Sequence, residues 1–281
     1  MNISNNDNSE EKWISFLKNV RKETEKLDLH GAGIPYFRGH YNSSWKLQPL
    51  IFRKRLSLSR IFNLENLLAF DFHTLCGQLY PIQLSDWEMS FEMRHAGLPT
   101  RLLDWSESFA NALFFAINDS QASSHAEEFK PCIWILDPYK LNTKTYHEYT
   151  IPDWASLGFD YHAEYRKEWD NHRKKFRGPI ALNPPKSYGR MVAQKSLFTV
   201  HFSEIPLEKF YKSSVKKIDI PIECVNHAKN FLYLSGVNDF TLFPDLDGLG
   251  KLLSKRYDYY INIKINNTQL TVNNAQMGGG S

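Results

Sequence analysis

Cysteine is scarce in this 281-residue chain: Cys76, Cys132 and Cys224 stand far apart and never form a CxxC pair. Their spacing argues against a disulfide framework and against a structural zinc site. A reducing, cytoplasmic setting fits. Long apolar runs are also missing, so no membrane partner is expected. Met1–Glu11 is polar and acidic and lacks the apolar segment of a secretion signal. There is no compact cluster of carboxylates, so metal-dependent hydrolysis is disfavoured and no metal is expected. Strong net charge is lacking as well. A balance of +3 rules out a strongly acidic mimic of another molecule and does not by itself establish nucleic-acid binding.

Apolar residues make up 42% of the chain and charged residues 23%, enough to bury a core as one large domain or two small ones. The 14% of aromatics suggests tight packing with some rings turned to a ligand. Basic residues gather in two stretches. One holds Lys46, Arg53, Lys54, Arg55 and Arg60; the other holds Arg166, Lys167, Arg173, Lys174, Lys175 and Arg177. Such clusters can track phosphates by releasing counterions. The plainer alternative is a solvated face.

Along the chain, Trp13 to Leu27 has helical apolar spacing. Pro35–His40 reads as a short strand and turn. Ile61–Leu79 and Trp87–His95 read as helices. Pro99 forces an extended segment over Leu98–Trp105, with Ser106 as the expected N-cap of a helix bearing Phe109, Ala110, Leu113, Phe114 and Ile117. Cys132–Leu136 is expected as a central strand because it is apolar throughout. Residues 140–187 read as an insertion with helix around Tyr161–Lys175. Strands are expected at Ser196–Phe202, Lys216–Ile222 and Arg256–Ile265, and helices at His227–Ser235 and within Thr241–Leu253. The tail Met277–Ser281 resembles an appended linker and is set aside.

Several motifs carry a family resemblance. They are Phe37-Arg-Gly-His40 with Trp45, Leu47 and Pro49; Met93-Arg-His-Ala-Gly-Leu-Pro-Thr-Arg-Leu-Leu-Asp-Trp-Ser106 with Ala112-Leu-Phe-Phe-Ala116; Arg190-Met-Val-Ala-Gln194 with Phe198-Thr199; and Gly236-Val-Asn238 with Thr241–Gly248. The chain resembles the FRG-domain family. That resemblance implies an FRG domain over 35–255 with an insertion at about 140–187, after an N-terminal helical segment 1–34 and before a C-terminal strand or tail at 256–276. It implies an α+β fold, with a curved, mostly antiparallel sheet core, packed helices and an ADP-ribosyltransferase-like plan. It also points to bacterial defence and toxin systems, with a possible antitoxin or chaperone as partner.

The transferase plan sets one polar position on each of three strands, and here Arg38, the Thr100–Ser106 segment and Gln194 are compatible with it. NAD would be the co-substrate. Cleaving its nicotinamide–ribose bond builds an oxocarbenium-like centre, which fixed donors and charges stabilise. Arg38, Asp104 and Gln194 are the expected catalytic residues. Arg38, Gly39, His95, Thr100, Arg101 and Trp105 are expected to bind the cofactor. Arginine suits phosphate through its fork of donors, glycine allows close backbone approach, and Tyr36, Phe37, Tyr41 or Trp105 could stack on nicotinamide. The sequence departs from the plan at Gln194, where the transferase pattern has a glutamate. An amide cannot act as a base, and Asp104, or Glu204 as a weaker substitute, would supply the carboxylate.

Arg53, Lys54, Arg55, Arg173, Lys174 and Lys175 are expected to hold a nucleic-acid acceptor, with RNA favoured. Plainer roles stand beside these. Arg38 and Asp104 could form a structural ion pair, and His95 and Gln194 could satisfy backbone groups. Trp105 and Phe198 could be core, and Asp245 and Asp247 a turn rather than a metal pair. Rival functions are a nuclease or phosphoesterase using Arg38, His95 and Asp104, and a non-enzymatic nucleic-acid or nucleotide sensor.

Overall fold

A computed structural model describes residues 3–27, 33–54, 56–76, 84–118, 129–157, 161, 178–185 and 189–277, with backbone alone over 3–7 and 262–277. In chain order its elements are α1 (Ile3–Glu25), β1 (Tyr36–His40), α2 (Leu58–Cys76), α3 (Asp86–His95), β2 (Leu102–Ser106), α4 (Phe109–Ile117), β3 (Cys132–Leu136), α5 (Pro138–Thr145), β4 (Ile180–Leu182), α6 (Gly189–Ala193), β5 (Ser196–Val200), α7 (Leu207–Phe210), β6 (Val215–Asp219), α8 (Val225–Leu234), α9 (Asp239–Leu242) and α10 (Leu246–Met277). Among the described residues the strands form one open antiparallel sheet in the order β4-β5-β2-β1-β3-β6. No described helix is long and apolar enough to cross a membrane. The fold is mixed α+β, as expected.

Helices cover both faces of the sheet. On one face Phe37, Ile133, Ile135 and Ile218 pack under Trp13, Phe16 and Val20 of α1, Leu113 of α4 and Leu232 of α8. Beside them Leu102, Phe198, Val200 and Ile180 pack under α2 and α3 through Ile61, Phe62, Trp87 and Phe91. The opposite face buries Tyr36, Leu103, Trp105, Trp134 and Leu197 with Leu47, Leu141 and Leu207. This double cover explains why Cys132–Leu136 is apolar and buried throughout. Its place is a correction: β3 lies one position in from the edge strand β6, not at the centre. Continuous apolar character reports burial on two faces, and an antiparallel strand acquires it once helices cover both.

Three other expectations change. The chain stays extended through Ser106, and Ser108 caps α4 by accepting from Asn111 N at 3.3 Å. The Glu107 N–H continues the ladder to Lys195 O, so the helix starts later than its first serine suggests. Residues 256–276, expected as strand or tail, are helical and continue α10. The alternating Tyr and Ile there imitate a strand, but no strand pairs with them among the described residues, and Tyr257, Tyr259 and Tyr260 are exposed. The stretch 140–187 contributes most of α5 and all of β4, which pairs with β5. Within it, the helix expected around Tyr161–Lys175 lies outside the described residues apart from Tyr161.

Helix α4 lies directly on β1. A Cβ placed on Gly39 would stand 1.9 Å from the Ala112 carbonyl oxygen and 2.6 Å from Ala116 N. Gly39 therefore serves a helix that touches its strand, where close approach of a ligand was expected. Gly39→Ala should cost about 3 kcal/mol or more through overpacking, read as a lower thermal unfolding temperature. An unchanged temperature would mean that α4 retreats freely.

Candidate functional site

Strands β1 and β2 are neighbours, yet only Phe37 and Ser106 stand in register. The partners of β1 and β2 on their other sides are paired over five residues each. Beyond Phe37 the two strands part, and the Arg38 side chain fills the opening. Its Nη1 donates to the backbone oxygen of Asp104 at 2.6 Å and lies 3.4 Å from Asp104 Oδ2. Arg94, from the last turn of α3, grips the same carboxylate with both arms: Nε to Oδ1 and Nη2 to Oδ2, each 2.7 Å. The side chains of Arg38 and Arg94 are mostly buried, and that of Asp104 is about one-third exposed, at 34%.

Arg53 brings a third guanidinium to the opening. It ends a 3-10 turn, Leu50–Arg53, and its Nε donates to Gln48 O. Burial lowers its pKa, as does Arg94, while Asp104 acts against them. Arg38 is held at about 10 by burial and by Arg94 and Arg53, against the pull of Asp104. It remains a cation at neutral pH. Burial would raise the Asp104 pKa, but Arg94 and Arg38 outweigh it and hold the carboxyl at about 2. Three guanidiniums thus face one carboxylate among the described residues. Two of the three positive charges have no carboxylate opposite them among the described residues.

Neutral imidazoles surround this charge. Burial and Arg38 hold His40 well below the ordinary histidine value. Arg38 Nε and Trp134 Nε1 both approach its ring nitrogens, at 3.0 and 3.2 Å. A neutral imidazole has one acceptor nitrogen, so the two donors compete for it. His95 is held at about 4 by burial, Arg94 and Arg190 against Asp104, and its ring meets Phe198 edge-on. Its Nε2 is buried and has no partner among the described residues. His201 is buried, with a pKa of about 3 set by burial and by Arg38.

The expected site residues divide. Arg38 and Asp104 meet, with His95 close enough for Asp104 to shift its titration. Arg101 is corrected to a structural role. Its Nε pairs with Glu65 Oε2 at 2.7 Å, its guanidinium stacks 4.2 Å over Tyr161, and Arg101 and Glu65 are both buried. Thr100 is buried and accepts from Leu102 N. Trp105 is core, with its Nε1 donating to Thr199 Oγ1, so its ring is not open for stacking on nicotinamide.

Gln194 lies in the turn before β5, and its amide donates to Leu242 O of α9. This is the structural alternative foreseen for it, and it removes Gln194 from the Arg38 cluster. Asp245 caps α10 through Gly248 N and pairs with Arg190, as the turn reading requires. Arg53 and Lys54 are exposed; Arg55, Arg173, Lys174 and Lys175 lie outside the described residues.

Sequence reading missed Arg94, although it sits in the quoted Met93–Ser106 motif. The missed signal was a cation at the end of a helix ten residues before an isolated aspartate. Glu65 and His201 were missed too, and nothing local marks them. No group of three or more metal-ligating side chains occurs among the described residues. An open groove of about 490 Å³ runs along the β6 edge between Lys12, Lys18 and Lys22 of α1 and Ile218 and Asp219, away from the β1–β2 opening.

The fold and site define an α+β protein with an open antiparallel sheet and a cationic seam between two of its strands. The family model for the FRG domain matches residues 34–125, so the chain carries an FRG domain over that segment. The segment contains Arg38, Arg53, Arg94 and Asp104. No curated protein and no solved structure matches the chain.

Two substitutions separate structural from cleft charges. Arg101→Ala leaves Glu65 buried without its cation and should cost about 3–5 kcal/mol, seen as a fall in the denaturant midpoint. A loss below about 1 kcal/mol would return Arg101 to the ligand candidates. Asp104 titrates at about 2 when folded, below the ordinary 3.8. The unfolded chain therefore binds the proton first as pH falls. The stabilisation is complete above pH 3.8 and disappears as pH falls towards 2. Asp104→Asn should flatten the pH dependence of unfolding in that window, and an unchanged profile would contradict the ion-pair geometry.

Proposed function

We propose that the β1–β2 opening binds the pyrophosphate of NAD and that the chain is an ADP-ribosyltransferase. The observation that carries this reading is the gathering of Arg38, Arg53 and Arg94 about Asp104, the one carboxylate that acts on all three among the described residues. A pyrophosphate linkage brings two negative charges, and forked guanidiniums suit its oxygens. Arg38 and Arg53 would hold the linkage. Arg94 would keep Asp104 ionised and aimed at the opening, where its fixed negative charge favours an oxocarbenium-like ribose. In the transfer, the bond between nicotinamide nitrogen and ribose carbon breaks and nicotinamide leaves with the electron pair. The acceptor oxygen or nitrogen bonds to that carbon and its proton passes to solvent. The neighbouring of β1 and β2 supports two positions of the plan, Arg38 and Asp104; Gln194 does not supply the third. An ADP-ribosyltransferase-like fold is part of the proposal.

The acceptor is proposed to be nucleic acid, RNA in preference, drawn to the exposed Lys54 beside Arg53. The setting is proposed to be a cytoplasmic toxin of antiphage defence, with an antitoxin or chaperone as its protein partner. A second reading, nucleotide binding without turnover, is favoured by one feature: both oxygens of Asp104 are taken by Arg94.

The test is incubation with labelled NAD, with RNA, DNA and cell lysate as separate acceptors. Transfer of label to RNA with release of nicotinamide is expected. Arg53→Ala should weaken NAD binding roughly tenfold or more, the loss of one hydrogen bond to a charged group, with cooperative thermal unfolding confirming that the variant is folded. Binding without nicotinamide release would select the second reading, and phosphate release from nucleic acid the phosphoesterase rival. No binding of NAD or pyrophosphate would overturn the site.

A further inference from the structure

The end of β5 holds polar groups that the proposed site does not yet use. Trp105 Nε1 donates to Thr199 Oγ1 at 3.1 Å, and Thr199 Oγ1 lies 2.9 Å from His201 Nε2. All three residues are buried. The threonine hydroxyl needs an acceptor for its own hydrogen, and His201 Nε2 is the one within reach among the described residues. The chain of donors therefore runs from Trp105 through Thr199 to His201. It leaves Nε2 as acceptor and the hydrogen of the neutral ring on Nδ1.

That Nδ1–H has no partner among the described residues, on a side chain only 1% exposed. A buried donor without an acceptor is costly and rare. The pairing of Leu103 with Thr199, and of Phe37 with Ser106, sets Thr199 and His201 on the same sheet face as Arg38 and His40. The backbone N–H of His201 bonds to Arg101 O, where β2 begins at the open end of the seam. Arg38 is the charged group that acts on the His201 ring.

We infer that His201 is a further binding residue of the Arg38 site, its Nδ1–H donating to a phosphoryl oxygen of a ligand carrying a phosphoanhydride. This rests on the pyrophosphate-binding reading. The guanidiniums supply charge from β1 and the Leu50–Arg53 turn, while His201 supplies a directed neutral donor from β5. An oxygen held from both sides of the seam is fixed in position, which arginines on one side alone do not achieve. The hydrogen-bonded Thr199 and Trp105 hold the tautomer.

The probe is inorganic pyrophosphate, titrated calorimetrically into the full chain. His201→Gln keeps a group beside Thr199 and removes the donor at the Nδ1 position, whereas His201→Asn keeps an N–H there. Binding should weaken roughly tenfold in the Gln variant, the scale of a hydrogen bond to a charged group, and less in the Asn variant, with melting temperatures confirming the fold. Wild-type binding with an unchanged Gln variant overturns the role of His201 and leaves the site intact; that result would fit a trapped water on Nδ1. Absence of wild-type binding overturns the pyrophosphate reading itself. Should the Gln variant fail to fold, nitrogen-15 histidine labelling of the wild-type chain decides. A slowly exchanging ring N–H must shift on adding pyrophosphate, and an unmoved spectrum at saturation refutes the inference.

Discussion

The seam between β1 and β2 governs the rest of this structure. It joins a three-strand half, β4-β5-β2, to another, β1-β3-β6, and only Phe37 and Ser106 are in register across it. Backbone hydrogen bonds alone make a weak joint at that length. Two other contacts reinforce it. Helix α4 presses onto Gly39 of β1 and also packs against β2. Arg38 spans the opening to the Asp104 carbonyl, taking an acceptor that a fully paired sheet would give to a backbone N–H. A side-chain donor thus replaces a ladder bond, and the ends of three elements gather round it.

Arg101 and Arg38 show how context decides the role of one residue type. Arg101 meets Glu65 at full burial, with its stacking partner Tyr161 and no excess charge. That pair organises the packing of α2 against the start of β2 and has no capacity left for a ligand. Arg38 shares a single carboxylate with Arg94, within the field of Arg53. The first arrangement closes on itself. The second leaves cations in excess of carboxylates among the described residues.

Much of the fold was legible in the sequence because it rests on local rules. Apolar spacing located α2 and α3, the Ser85–Glu88 capping box starts α3, and alternation located β5. What failed were inferences that needed the third dimension. Cys132–Leu136 reads as central because apolar runs report burial and not strand order. Gly39 reads as a ligand contact because a sequence does not say which backbone approaches it. The tyrosines after Arg256 alternate, but pairing requires a neighbour that only the fold supplies. In the site, Arg38 and Asp104 stood out at breaks in regular structure. Arg101 and Trp105 stood out equally and proved to be packing, since a motif does not reveal which of its polar groups already has a buried partner.

The excess charge at the seam has a thermodynamic consequence. Burial is the main cause of the lowered pKa of both Arg38 and Arg53, and the neighbouring guanidiniums lower it further. Holding these cations together in a partly buried place costs the folded protein free energy. A second carboxylate at Arg38 would offset that cost, and among the described residues Asp104 is the carboxylate that acts on it. On the binding proposal, an anion entering the opening would offset part of that cost, so that binding and stability would be linked. On the same proposal, the guanidinium that replaces a missing ladder bond would link ligand binding to the cohesion of the two half-sheets.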